Sequence, residues 1–181
     1  MILSVVILSL VTAQRIGELA LARRNTRRLM ARGAVEAGAG HYPFIVALHA
    51  AWLIGLWLLA WDRPPNMGLL AVFIGLQAAR VWVIATLGDR WTTRIISLPG
   101  APLIRRGPYR LLSHPNYVVV AAEILILPLT FGLIWFALIF SALNAAMMRV
   151  RIRAEVRTFS VAGGAGADEA IRSPRPGRDG A

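Results

Sequence analysis

Apolar residues in this chain come in long blocks and not in narrow stripes. Five runs, approximately Met1 to Ala22, Tyr42 to Trp61, Met67 to Leu87, Pro115 to Leu129 and Phe131 to Met148, are separated by connections rich in arginine, glycine and proline. A helix that is apolar all round is buried in protein or lipid, and roughly 20 such residues cross a hydrocarbon core of about 30 Å. The pattern predicts an all-α integral membrane protein of about five transmembrane helices with a C-terminal helical extension. The last two runs are short, and Pro128 and Gly132 mark a tight turn or kink between them, so this pair is expected as a re-entering or tilted helical hairpin.

The connections are informative in their own right. Gly33 to Gly40 reads as a surface loop of small residues with one acid, Glu36. Gly88 to Ser113 is too polar to span and is broken by Pro99, Gly100, Pro102, Gly107 and Pro108; its apolar residues Trp91, Ile95, Ile96, Leu98, Leu103 and Ile104 suit a segment lying in the membrane interface. Beyond Phe159 the composition changes, and 161–181, rich in Gly, Ala, Pro, Arg and Asp, is expected as a disordered cytoplasmic tail. One membrane domain over 1–160 is therefore predicted, with its chemistry concentrated in about 91–159.

Composition strengthens this picture: 57% of the 181 residues are hydrophobic and the mean hydropathy is +0.60, far above a soluble domain. Cysteine is absent, which excludes disulfides and thiolate metal sites. All 20 basic residues are arginine and the net charge is +11. These charges lie between apolar runs and not on one compact face, so anionic lipid headgroups, and not nucleic acid, are the expected partner. Five arginines fall in Arg23–Arg32, five in Arg90–Arg110 and seven in Arg149–Arg178, against one, Arg63, in the short connection Asp62 to Asn66. The positive-inside rule then predicts an outside N-terminus and a cytoplasmic C-terminus in a bacterial-type plasma membrane. Met1 to Ala13 resembles a signal peptide, but its charges follow the apolar run, so a retained first helix is predicted.

Four ionisable groups lie inside the apolar runs: Arg15, Glu18, Arg80 and Glu123. Each is costly in lipid unless it pairs or faces a wet cavity. Either Arg15 neutralises Glu18 on one helix face while Arg80 and Glu123 join two helices, or the four serve a substrate directly. His114-Pro115-Asn116-Tyr117 opens the fourth run, with Pro115 suited to the first helical turn. It reads either as a helix start with a boundary tyrosine or as a site where free backbone N–H groups receive an anion. Past the fifth run, helical spacing puts Arg151 and Glu155 on one face and Arg149, Arg153 and Arg157 on the opposite one, the latter a headgroup-binding stripe. His41, His49 and His114 have no ligand spacing, so no metal site is expected. Gly163-Gly164-Ala165-Gly166 follows no strand and reads as linker.

From about Trp91 to Phe159 the chain resembles the isoprenylcysteine carboxyl methyltransferase family of membrane enzymes. The resemblance rests on Leu103-Ile104 before Gly107-Pro108-Tyr109, then His114-Pro115-Asn116-Tyr117, a helical hairpin, and Arg151 with Glu155. Trp91 to Ile96, Leu98 to Pro102 and Glu123 are similar to the bacterial branch associated with type III polyketide synthases. The resemblance implies an S-adenosylmethionine pocket on the cytoplasmic side built by Leu103, Ile104, Tyr109, His114, Pro115, Asn116, Tyr117 and Glu155, with Arg151 facing a lipophilic acceptor such as an alkylpyrone or alkylresorcinol. Ser113, where the family usually has arginine, and Val156, where a second acid is common, depart from the pattern. In-line placement and neutralisation of an oxyanion would supply most of the rate; Arg151 is the expected stabiliser and Glu123 or His114 the candidate base. An NADPH-dependent membrane reductase of the sterol-reductase kind, and a non-enzymatic membrane protein whose buried charges are helix glue, are the alternatives.

Overall fold

In the computed structural model the backbone is described for residues 1–172 apart from Gly38 and Leu103, and side chains through Arg153 apart from those at 37–39 and 103. Five helices run back and forth: α1 Ile2–Met30, α2 Tyr42–Ala60, α3 Met67–Leu87, α4 Pro115–Thr130 and α5 Ile134–Arg172. α1, α2, α3 and α5 contain spans long and apolar enough to cross a membrane. α4 has only 16 residues, about 24 Å at 1.5 Å per residue, and is shorter than the hydrocarbon core. α5 takes in 161–172 of the segment assigned above to a tail; 173–181 lie outside the described residues.

Element ends follow local chemistry. α1 continues past its apolar run through Arg23, Arg24, Arg27 and Arg28, since arginine is a good helix former and its head reaches water from a membrane-edge turn. Asn66 caps α3 by accepting a 3.0 Å hydrogen bond from Leu69 N–H at its Oδ1. Gly132, at φ 72°, turns the chain from α4 into α5, as the Pro128–Gly132 signal predicts. α4 packs between α3 and α5.

The all-helical expectation needs one addition. Val35–Ala37 (β1) pairs antiparallel with Ile95–Ser97 (β2), Glu36 opposite Ile96. Arg94 locks this ribbon, donating through Nη1 to both Glu36 carboxylate oxygens at 2.8 and 2.9 Å, and its guanidinium lies 4.4 Å from the Tyr42 ring centroid. The connection predicted as an interfacial segment is thus partly tied down by strand pairing. Asn25 also fastens it to α1, donating to the Gly88 and Trp91 carbonyls at 3.1 and 2.9 Å.

The bundle is layered along its length. Toward the arginine-poor end, Ile7, Leu8, Val11, Trp52, Leu56, Leu70, Phe73, Ile124, Leu127 and Phe131 form the apolar core. Leu3, Phe44, Leu58, Trp82 and Trp135 are exposed on the outside, as lipid-facing side chains are. Charges and a cavity replace apolar packing toward the arginine-rich end.

Candidate active site

Directly beyond the apolar core, α1, α3 and α4 bring four charges together. Glu18 accepts from Gln14 Nε2 and Arg15 Nη1, each at 2.9 Å, and from Arg80 through Nε and Nη2. Glu123 Oε2 accepts from Arg15 Nη2 at 2.7 Å and Arg80 Nη1 at 2.8 Å, while Oε1 accepts from Gln77 Nε2 at 2.9 Å. Each guanidinium bridges both carboxylates, so the pairs Arg15–Glu18 and Arg80–Glu123 expected from sequence exist within a closed ring of net charge zero. Mutual compensation of this kind is what lets charges persist at membrane depth. Glu123, 1% exposed, anchors both guanidiniums and is not among the residues lining the adjacent cavity; three donors occupy the carboxylate that the sequence reading offered as a base.

A cavity of about 380 Å³ extends from this ring toward the arginine-rich end. Its inner end is Arg15, Glu18 and Arg80, and its walls are largely apolar, with Leu19, Ile45, Leu48, Trp52, Leu53 and Val120. α5 contributes Asn144, Met147, Met148 and Arg151, the i, i+3, i+4, i+7 face of one helix. His49 also lines the cavity, its Nδ1–H donating 2.8 Å to the Ile45 carbonyl within α2.

The far end of the cavity is polar. Asn116 and Tyr117, in the first turn of α4, face Arg151 from α5 there. Arg151 Nε donates a 2.9 Å hydrogen bond to the Tyr117 hydroxyl, its guanidinium carbon 5.2 Å from the ring centroid. The His114 imidazole stacks on the same Tyr117 ring, with centroids 5.0 Å apart and planes 3° from parallel. His114 is the backbone N-cap of α4, but its side chain makes no capping hydrogen bond; stacking is its role in the fold. Asn116 Oδ1 is buried without a hydrogen-bond partner. Tyr42, whose hydroxyl is 3.0 Å from Thr93 Oγ1, closes one side.

Of the residues proposed from sequence, the structure gathers Asn116, Tyr117 and Arg151 at one cavity mouth, with His114 stacked behind and Pro115 buried in the first turn. Ile104 and Tyr109 are half-buried in the connection and do not line the cavity. Leu103 and the side chain of Glu155 lie outside the described residues. Sequence reasoning missed Asn144, Tyr42 and Thr93. For Asn144 a signal existed: it is the one amide in the run 131–148, and it stands seven residues before Arg151.

A family model described as isoprenylcysteine carboxyl methyltransferase (ICMT) family matches residues 69–160, which include most of α3, all of α4, and Asn116, Tyr117 and Arg151 of the cavity mouth. The chain belongs to this family. An uncharacterized protein of Bacillus subtilis (strain 168), YpbQ, is 37% identical over 154 residues, covering 82% of this chain and 92% of its own. An uncharacterized protein of Haemophilus influenzae is 26% identical over 157 residues, covering 83% and 91%. No solved structure matches. ICMT membership and the four apolar spans make this an integral membrane protein of a methyltransferase family. The ICMT match begins within α3, so Arg15 and Glu18 on α1 and the cavity wall from α2 lie outside it.

Proposed function

We propose that this protein transfers the methyl group of S-adenosylmethionine to an oxygen of a lipophilic membrane substrate, of the alkylpyrone or alkylresorcinol kind, with carboxyl methylation as the other acceptor chemistry. The observation that carries the reading is one cavity with apolar walls and a polar mouth, placed where the family match and the Tyr117–Arg151 pair coincide. Its volume lies in the range of small-molecule pockets, about 300–1,000 Å³.

The residues present fit a donor with an amino-acid and a nucleoside part. Asn116 Oδ1 is a buried acceptor in want of a donor, which an ammonium or ribose hydroxyl provides. The stacked His114 and Tyr117 rings offer a face for a flat base; the family resemblance adds Leu103, Ile104, Tyr109, Pro115 and Glu155 as expected contacts of the donor. S-adenosylmethionine, when bound, supplies a methyl group activated by a positively charged sulfur. Arg151 stabilises negative charge on the acceptor oxygen, and Tyr117 holds Arg151 in place through its hydroxyl. The apolar wall admits the alkyl chain and excludes water, and the ion-pair ring closes the cavity's inner end. Glu123 acts by positioning Arg15 and Arg80. The proposed orientation, C-terminus in the cytoplasm, puts the mouth on the side where a water-soluble donor is found, next to arginines that bind anionic lipid. A functional link to a polyketide synthase belongs to the same reading.

Titration of the purified protein in detergent with S-adenosylhomocysteine and with NADPH tests this. Saturable binding of the former and none of the latter is expected. NADPH binding alone would replace the reading with a reductase, and binding of neither with a non-enzymatic role.

A further inference from the structure

One polar side chain in the cavity serves neither the ion-pair ring nor the mouth. Asn144 is 4% exposed, lines the cavity, and makes no side-chain hydrogen bond among the described residues. A buried amide without a partner is disfavoured, and the same helix fills its neighbouring positions with Leu143, Met147 and Met148. Asn25, by comparison, serves the fold through its amide N–H groups, which donate to the Gly88 and Trp91 carbonyls, while its Oδ1 is left without a partner; Asn144 uses neither end of its amide among the described residues. Across the same cavity Arg15 Nε is also buried and unpartnered. Residues of two helices, Asn144 of α5 and Arg15 of α1, therefore line one cavity with hydrogen-bonding capacity that the described residues leave unused.

The charge at the inner end of the cavity sums to zero, Arg15 and Arg80 against Glu18 and Glu123, and the further cation of the lining, Arg151, stands at the mouth. No excess positive charge is left at the inner end to compensate an anion, which at this depth would be required. A neutral group that both gives and accepts a hydrogen bond matches an amide, which does the same. Asn144 shares its helix face with Arg151, two turns away, roughly 10 Å along the axis, so a head group resting on Asn144 extends toward the mouth.

We propose that Asn144 is the acceptor-recognition residue: its amide hydrogen-bonds a neutral hydroxyl on the head group of a long-chain membrane substrate and separates it from bare hydrocarbon. This rests on the function proposed above and assigns the part of the cavity that the methyl donor does not use. Leu19, Ile45 and Leu53 provide the apolar surface for the attached chain.

The test compares binding of 4-dodecylphenol and dodecylbenzene, which differ by one hydroxyl, to the full-length protein and to its Asn144→Leu and Asn144→Ala variants in detergent micelles. Wild type is expected to prefer the phenol by about tenfold, the scale of one buried hydrogen bond. Both variants are expected to lose that preference while binding dodecylbenzene and S-adenosylhomocysteine as wild type does. Equal affinity of wild type for the two ligands, or an undiminished preference in whichever variant folds, overturns the proposal, as does an Asn144-dependent preference for dodecanoate over the phenol. Failure of S-adenosylhomocysteine binding in wild type with the phenol preference intact would instead remove the methyl-donor reading and leave the hydroxyl site standing.

Discussion

Arg151, midway along α5, and Tyr117, in the first turn of α4, are joined at the cavity mouth by a 2.9 Å hydrogen bond from Nε to the phenolic oxygen. The bond fixes a flexible cation at the polar mouth of a cavity whose side walls are largely apolar. It follows that the two residues differ in weight. Arg151→Ala should be expressed and folded but lose methyl transfer by about two to three orders of magnitude, the scale of removing one charge-stabilising group. Tyr117→Phe, which frees the guanidinium without removing it, should lose about tenfold or less. Turnover of both variants with a radiolabelled methyl donor measures this, and wild-type turnover of Arg151→Ala removes Arg151 from the mechanism.

The ring of Arg15, Glu18, Arg80 and Glu123 predicts strong non-additivity. Glu123→Gln leaves two buried guanidiniums sharing one carboxylate and should lower stability by about 3–5 kcal/mol. Combining it with Arg15→Met restores neutrality and should recover part of that loss. Thermal unfolding in detergent reports the coupling, and simple additivity of the two changes would contradict the shared network.

Gly107 makes a separate prediction. Its φ is +55° and an added Cβ would stand 2.6 Å from Thr86 Oγ1, so the Gly-Pro-Tyr connection is held against α3 by the absence of a side chain. Gly107→Ala should cost about 1–3 kcal/mol through backbone strain alone. Thr86→Ala in the same protein removes the collision but not the strain, so thermal denaturation should show partial rescue only; full rescue would mean that the backbone there is not strained.

Because the chain has no cysteine, single cysteines report topology cleanly. Asp62→Cys is expected to react with a membrane-impermeant maleimide in intact cells, and Asp89→Cys only after permeabilisation, as the arginine distribution requires. The reverse pattern would invert the molecule and place the cavity mouth outside.

Much of this architecture was legible because lipid imposes a strong rule: apolar blocks must be helical. That rule located α1, α2 and α3 within a few residues, though it could not say that α1 runs on to Met30, because exposed arginines prolong a helix without apolar signal. The buried charges were legible as anomalies, and Arg15–Glu18 followed from helical spacing. The bridges Arg15–Glu123 and Arg80–Glu18 did not, since which helices adjoin is a tertiary fact. β1 and β2, three residues each and far apart in sequence, with Glu36 opposite Ile96, carry too short a pattern to read. At the site, the motif at His114 to Tyr117 and Arg151 stood out by composition, whereas Asn144 was overlooked as a lone amide in an apolar run; only its placement in the cavity without a partner gives it meaning.

The most direct measurement is transfer of label from methyl-tritiated S-adenosylmethionine to the lipid extract of the producing cells by purified protein, with the product identified by mass. The account predicts a methylated, long-chain, oxygen-linked product whose formation falls by about two to three orders of magnitude in Arg151→Ala. Absence of label from every lipid fraction, with S-adenosylhomocysteine failing to bind the folded protein, would contradict it.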